Sequence, residues 1–240
     1  MEISKIGRAI KMKNHLVAVI RSNHKPDHCL QFKEGAQGGC LIGMLSAAAK
    51  GEMAAFCEET TPCNGGKVGL GFKAFETGAI EYFLSTGKDG RMKGEHYKKT
   101  PELARSYIQR MPQIESSQYL IFKPLEMLDP GELPETVVFL VNADQLSALV
   151  TLANYDQETQ DSVQIKFGAG CAQAVLYAVK DSQDGRSRCT IGLTDPSARS
   201  CIDKNLLSFS IPYKRYLEME EQVEESFLTK ETWMRLAERI

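Results

Sequence analysis

Thr136–Val141 (TVVFLV) runs directly into Asn142-Ala143-Asp144-Gln145, and this junction constrains the fold more than any other stretch of the chain. A run of β-branched and aromatic residues entered after Pro130, Gly131 and Pro134 reads as a buried strand. Asn142 or Asp144 then caps a helix over about 145–155, with Leu146, Leu149, Val150 and Ala153 on one face. A strand, a cap and a helix in direct succession predict an α/β fold. Residues 163–167 alternate as a second strand, and Gly168-Ala169-Gly170-Cys171 turns the chain into an apolar helix over 172–179. A polar turn follows, then strands at 189–193 and 206–211, the last closed by Pro212. The order is β-α-β-α-β-β.

The first half can be read on the same template. Strands are expected at 15–20, 53–57, 82–85 and 119–122; helices are expected within 39–50 and, after Pro62-Cys63-Asn64, through Phe72. The segments FLSTGKDGR and IGLTDPSAR rhyme, and the spacing from Leu41 to Cys63 is close to that from Leu146 to Cys171. These correspondences predict an internal duplication. The expectation is an α/β (α+β) fold of two β-α-β-α-β-β halves, about 15–128 and 136–217, in one compact domain over 1–240. An inserted helix in the first half is capped by Thr100, has Pro101 at its first position and ends at Pro112. Its apolar face, Leu103, Tyr107, Ile108 and Met111, is expected to cover one side of a cleft. Helices over 214–223 and 229–240 close the chain. In the second, Trp233, Leu236, Ala237 and Ile240 form a stripe for docking on the body or, alternatively, on a second copy, which leaves a homo-oligomer open.

Composition excludes several classes. Apolar residues make up 42% and charged residues 25% of 240, the proportions of a globular protein. The net charge is −2, and no segment gathers the Lys/Arg stripe a phosphate backbone demands, so no nucleic-acid partner is expected. The longest apolar runs are too short to span a bilayer, so no membrane partner is expected. The N-terminal residues lack an apolar core of signal-peptide length, so a cytoplasmic location is expected. The cysteines are odd in number, seven, in a chain too large to need disulfides, and in a reducing compartment they are expected as thiols.

Cys63 and Cys171 stand at corresponding turns, each at or just before a helix start, and are the candidate catalytic residues. Free N–H groups and the helix dipole favour thiolate there, the form that binds metal or attacks an electrophile. The competing reading is a small buried side chain in a tight turn. Cys57 and Cys40 could reach the same cleft, which makes Cys57, Cys63 and Cys171 the candidate metal ligands. No C-x2-C knuckle or C-x2-C-x2-C run supports zinc or an iron–sulfur cluster, although scattered ligands leave a cluster or other metal open. Gly65, Gly66, Lys67 and Gly69 form a glycine-rich helix start that could cradle an anion, or could equally mark close backbone packing. It matches no nucleotide-binding signature. Arg91 and Arg199 follow the two rhyming segments and are candidate clamps for a carboxylate or phosphate, with loop bracing as the alternative. The four histidines, His15, His24, His28 and His96, lie in the first half and supply the bases available to a Cys–His pair; Pro26 argues against a metal site at His24 to Cys29.

Taken together, GGCLIGML, FCEETTPCNGGKVGLGF, YLIFKPLEML, VVFLVNADQLSALVTLANY, FGAGCAQAVLYAV and LLSFSIPYKRYLEM make nearly the whole chain resemble the domain of unknown function 169 family, described as archaeal cysteine-rich. The resemblance implies the fold and the single-unit reading, and it assigns no reaction and no catalytic residue. The expected function is binding of a small cofactor, metal centre or anionic metabolite in a cysteine-containing cleft between the halves, with a redox role fitting. The alternatives are a thiol-dependent enzyme with Cys63 as nucleophile, or a non-catalytic assembly protein.

Overall fold

The computed structural model describes residues 4–36, 38–74, 76, 78–115 and 117–240. In chain order the first half contains α1 (Lys5–Ala9), β1 (Val17–Ser22), α2 (Leu41–Ala48), β2 (Ala54–Phe56), α3 (Asn64–Gly69), α4 (Ile80–Phe83), α5 (Pro101–Gln109) and β3 (Tyr119–Pro124). The remainder contains β4 (Thr136–Val141), α6 (Ala143–Ala153), β5 (Val163–Ile165), a π-helical turn (Ala172–Leu176) running into α7 (Tyr177–Gln183), and β6 (Cys189–Gly192). A 3-10 turn (Pro196–Cys201), β7 (Leu207–Pro212), α8 (Tyr213–Gln222) and α9 (Glu231–Ala237) follow.

The strands make one mixed sheet in the order β2-β3-β1-β4-β7-β6-β5. Neighbours are antiparallel except β5 and β6. Alternation along each strand sorts its side chains to two faces. Ala18, Ile20, Ile121, Val137, Phe139, Phe209 and Ile211 face a core closed by α1, α6, α8 and α9. Val17, Val19, Phe122, Val138 and Leu140 face a second core closed by α2 and by the helix that begins at Cys171. TVVFLV is buried throughout because helices cover both of its faces.

Local signals hold where they were strongest. Asn142 and Gln145 form a reciprocal capping box on α6, at 3.0 and 3.1 Å. Thr100 caps α5 with Pro101 in its first turn. Trp233 is buried on the body, its indole Nε1 donating to the Ala9 carbonyl at 2.9 Å.

The centre of the sheet carries a local twofold relation. Val17 lies opposite Pro124 in the β1–β3 ladder, and Thr136 lies opposite Pro212 in the β4–β7 ladder. Equating Val17 with Thr136 on that ground equates Ala18 with Val137 and Val19 with Val138. The β1–β4 pairs, Val17 with Val138, Ala18 with Val137 and Val19 with Thr136, then map onto themselves. One strand further out the relation holds in space, with Ala54 opposite Phe122 and Thr190 opposite Ser210, but it fails in chain order. Residues 82–85, expected as a strand, begin inside α4 and leave it by a turn, and the place beside β3 is filled by β2. One local and one distant contact decide this: the Ser85 hydroxyl closes onto the Glu81 carbonyl at 2.6 Å, and the buried Glu81 carboxylate takes Arg105 of α5 at 3.2 Å. These bonds hold a helical turn against α5 where the apolar run alone read as a strand.

Candidate functional site

A cavity of about 300 Å³ opens between elements of the first half and loops of the second. One side is formed by the starts of α2 and α3, by α4 and by the Tyr107 and Met111 end of α5. Residues 167–173 and 194–198 form the other. α5 thus lies over the cleft.

The second-half wall is tied together by Gln173. Its buried amide donates to the Lys166 carbonyl at 2.8 Å and to Thr194 Oγ1 at 2.7 Å, and its oxygen accepts the Thr194 N–H at 2.9 Å. Gln173 belongs to the π-helical turn, a distortion that frequently accompanies functional sites. The Ser210 hydroxyl of β7 donates to the Ala174 carbonyl at 2.8 Å and supports the widened turn from below. Asp195 sits before Pro196, caps the 3-10 turn through Ser197, and accepts the Gly170 N–H at 2.8 Å. Opposite, the Tyr107 hydroxyl of α5 and that of Tyr177 both donate to the Phe167 carbonyl, at 3.3 and 2.8 Å.

Cys63 and Cys171 both line this cavity. Cys63 is the exposed N-cap of α3, and its Sγ accepts the Gly66 N–H at 3.1 Å. Cys171 is buried, and its Sγ donates to the Gly65 carbonyl at 3.1 Å. The glycines of α3 make that approach possible. A Cβ on Gly69 would lie 2.7 Å from Cys171 Sγ, and one on Gly66 would lie 2.5 Å from Leu41 Cδ1 and 2.9 Å from Cys63 Sγ. Gly66 and Gly69 are therefore explained by close packing of α3 on the two cysteines and on α2.

Burial pushes the Cys171 thiol up to about 12, with the nearby Cys63 and Cys40 adding to the rise. That is opposite in direction to the thiolate expected at a helix start, because desolvation outweighs the helix-end amides. Cys40, the N-cap of α2, is a third thiol in the wall. Burial, with contact to the Cys201 thiol adding to it, raises it to about 11.

Other sequence candidates lie elsewhere. Lys67 and Gly69 are outside the cavity lining, although Gly65 and Gly66 belong to it. Arg199 braces its own loop, donating to the carbonyls of Leu193 at 3.3 Å, Lys204 at 2.5 Å and Leu206. Arg91 is exposed in the turn between Lys88 and Met92. Cys57 follows β2 with Sγ 3.2 Å from Thr60 Oγ1 and does not line the cavity. Among the described residues no three His, Cys, Asp or Glu side chains are grouped so as to hold a metal ion. His15 pairs with Glu126, and none of His15, His24, His28 and His96 lines the cavity. No helix among the described residues is long and apolar enough to cross a membrane.

Sequence reading missed Asp195, Tyr97 and Phe167 in the wall. Asp195 had a local signal, an Asp-Pro-Ser cap; Tyr97 and Phe167 had none, since only tertiary structure brings them together. A family model described as "Uncharacterised ArCR" matches residues 5–222. No curated protein and no solved structure matches the chain.

Proposed function

The chain belongs to the domain of unknown function 169 family, and on the geometry of its cleft we propose that it binds a small, largely apolar molecule between its two halves. The observation that carries this reading is the convergence of Cys63, Tyr107, Cys171 and Asp195, from four separate segments, on one cavity of about 300 Å³. That volume is at the lower end of the roughly 300–1,000 Å³ typical of ligand pockets. Its walls are mainly side chains such as Leu41, Ile42, Ile80, Leu84 and Met111, so apolar contact supplies the affinity and a few polar groups orient the ligand.

The test is a fluorescence titration with the neutral probe N-phenyl-1-naphthylamine. Wild-type protein should bind one probe per chain, and Met111→Trp, which fills the cavity from the residues just after α5, should bind at least tenfold more weakly while melting at the same temperature. Leu217→Trp, at an exposed position on α8, should leave binding unchanged. Equal binding by Met111→Trp and wild type would reject the cleft as the site.

One observation favours a second reading, covalent chemistry at Cys63. Of the three thiols in the wall, Cys63 alone is exposed, while Cys40 is half-buried and Cys171 buried. With no histidine in the wall, a base for such chemistry would have to be a carboxylate such as Asp195.

A further inference from the structure

We propose that the molecule held in the cleft is a small organic cation, an ammonium group carrying an apolar body, rather than an anion. The inference rests on the cleft being the binding site. Its basis is the kind of group in the wall: four aromatic rings, Phe83, Tyr97, Tyr107 and Phe167, and one charged side chain, the carboxylate of Asp195. Ring faces carry negative electrostatic potential and attract cations, most strongly where water is excluded. A half-buried carboxylate in the same space adds a negative field and opposes an anion.

Two further observations point the same way. Burial holds Tyr97 and Tyr107 above the ordinary phenol range, and the Asp195 charge adds to both, joined at Tyr97 by Glu95. Negative charge is therefore felt across the tyrosine side of the cleft. The rings also already hold a cation of the chain itself. Lys98 Nζ lies 4.1 Å from the Phe167 ring centroid and 5.1 Å from that of Tyr107, whose two rings meet edge to face at 5.0 Å. Lys98 is not part of the cavity lining, so its ammonium competes with a ligand for the rings without filling the space.

The test measures displacement of bound N-phenyl-1-naphthylamine by three compounds of one shape and size class: benzyltrimethylammonium, its neutral isostere neopentylbenzene, and the anion phenylacetate. Benzyltrimethylammonium should displace the probe at a concentration at least tenfold below either of the others. Asp195→Asn, which removes the charge and keeps an oxygen for one of the two N–H groups that Asp195 caps, Gly170 or Ser197, should abolish most of that preference. Lys98→Met, which removes the competing ammonium, should tighten benzyltrimethylammonium severalfold and leave neopentylbenzene unchanged. Displacement by neopentylbenzene or phenylacetate as strong as by the cation, or no displacement by any of the three, would overturn the cation and leave the cleft standing. Failure of the probe to bind, or its equal binding to Met111→Trp, would instead overturn the cleft reading itself.

Discussion

Cys63 and Cys171 grip the two polar ends of a single peptide group: Cys63 accepts the Gly66 N–H and Cys171 donates to the Gly65 carbonyl, each at 3.1 Å. In a trans peptide these two bonds point in opposite directions, so the sulfurs lie on opposite sides of the unit and both remain free thiols. The same contact locks the first turn of α3 to the loop of the second half. The cleft wall is built on it.

Gly69→Ala should destabilise the fold. The new Cβ would meet Cys171 Sγ at 2.7 Å and Cys171 Cβ at 3.0 Å. Overpacking of this kind costs about 1–3 kcal/mol, against a gain of up to about 1 kcal/mol from helix propensity. Urea denaturation of Gly69→Ala, Cys171→Ala and the double variant checks the contact. The double variant should be more stable than the sum of the single losses predicts, and strict additivity would mean that the two residues do not press on each other.

Thiol reactivity should separate the cysteines of the wall. Iodoacetamide attacks thiolate, and Cys63 is exposed whereas Cys171 is buried with its proton held up to about 12. At pH 7.5 peptide mapping should find Cys63 alkylated well before Cys40 and Cys171. Equal rates at Cys63 and Cys171 would contradict the burial of Cys171.

Stability should fall with alkaline pH. Burial raises Cys171 and Cys189 from 9.0 to about 12. The folded chain keeps these protons where the unfolded chain releases them, so their contribution is complete below pH 9 and is lost progressively between pH 9 and about 12. Each thiol approaches a slope of about 1.4 kcal/mol per pH unit within that window. The fall in unfolding free energy from pH 9 to 10 should be shallower for Cys189→Ala than for wild type, and an identical slope would remove Cys189 from the account.

Arg215 anchors α8 to the end of α6. Its side chain is 1% exposed and donates to both carboxylate oxygens of Asp156, to Glu218 and to the Ala153 carbonyl. The Arg215 hydrogen bonds hold the Asp156 carboxyl well below its usual range. That stabilisation is present above about pH 4 and is lost as the pH drops below it. Asp156→Ala strands a buried guanidinium and should cost on the order of 3 kcal/mol in urea denaturation, whereas a loss below about 1 kcal/mol would show that Glu218 suffices.

The sequence was legible where one local interaction decides the outcome. The Asn142–Gln145 box and the Thr100-Pro101 start can be read directly because cap, proline and apolar face lie within one helical turn. The meeting of Cys63 with Cys171 had no local signal: the rhyme set both after matching strands, whereas in the sheet β2, before Cys63, corresponds to β6 and not to β5, before Cys171. Residues 82–85 misled because Tyr, Phe and Leu suit a strand as well as a helix; Arg105, from a distant segment, decides by taking the Glu81 carboxylate. The cleft aromatics were illegible for the same reason, since Phe83, Tyr97, Tyr107 and Phe167 share no period and meet only once α5 lies over the second-half loop.

The most direct test of the cleft is methyl nuclear magnetic resonance during titration with N-phenyl-1-naphthylamine. The methyls of Ile42, Ile80 and Leu84 from the first half should shift together with those of Ala172, Thr194 and Ala198 from the second, along one saturation curve. The methyls of Leu152, Met219 and Val223 in the opposite core should stay in place. Shifts confined to one half, or centred on that opposite core, would contradict a binding cleft between the two halves.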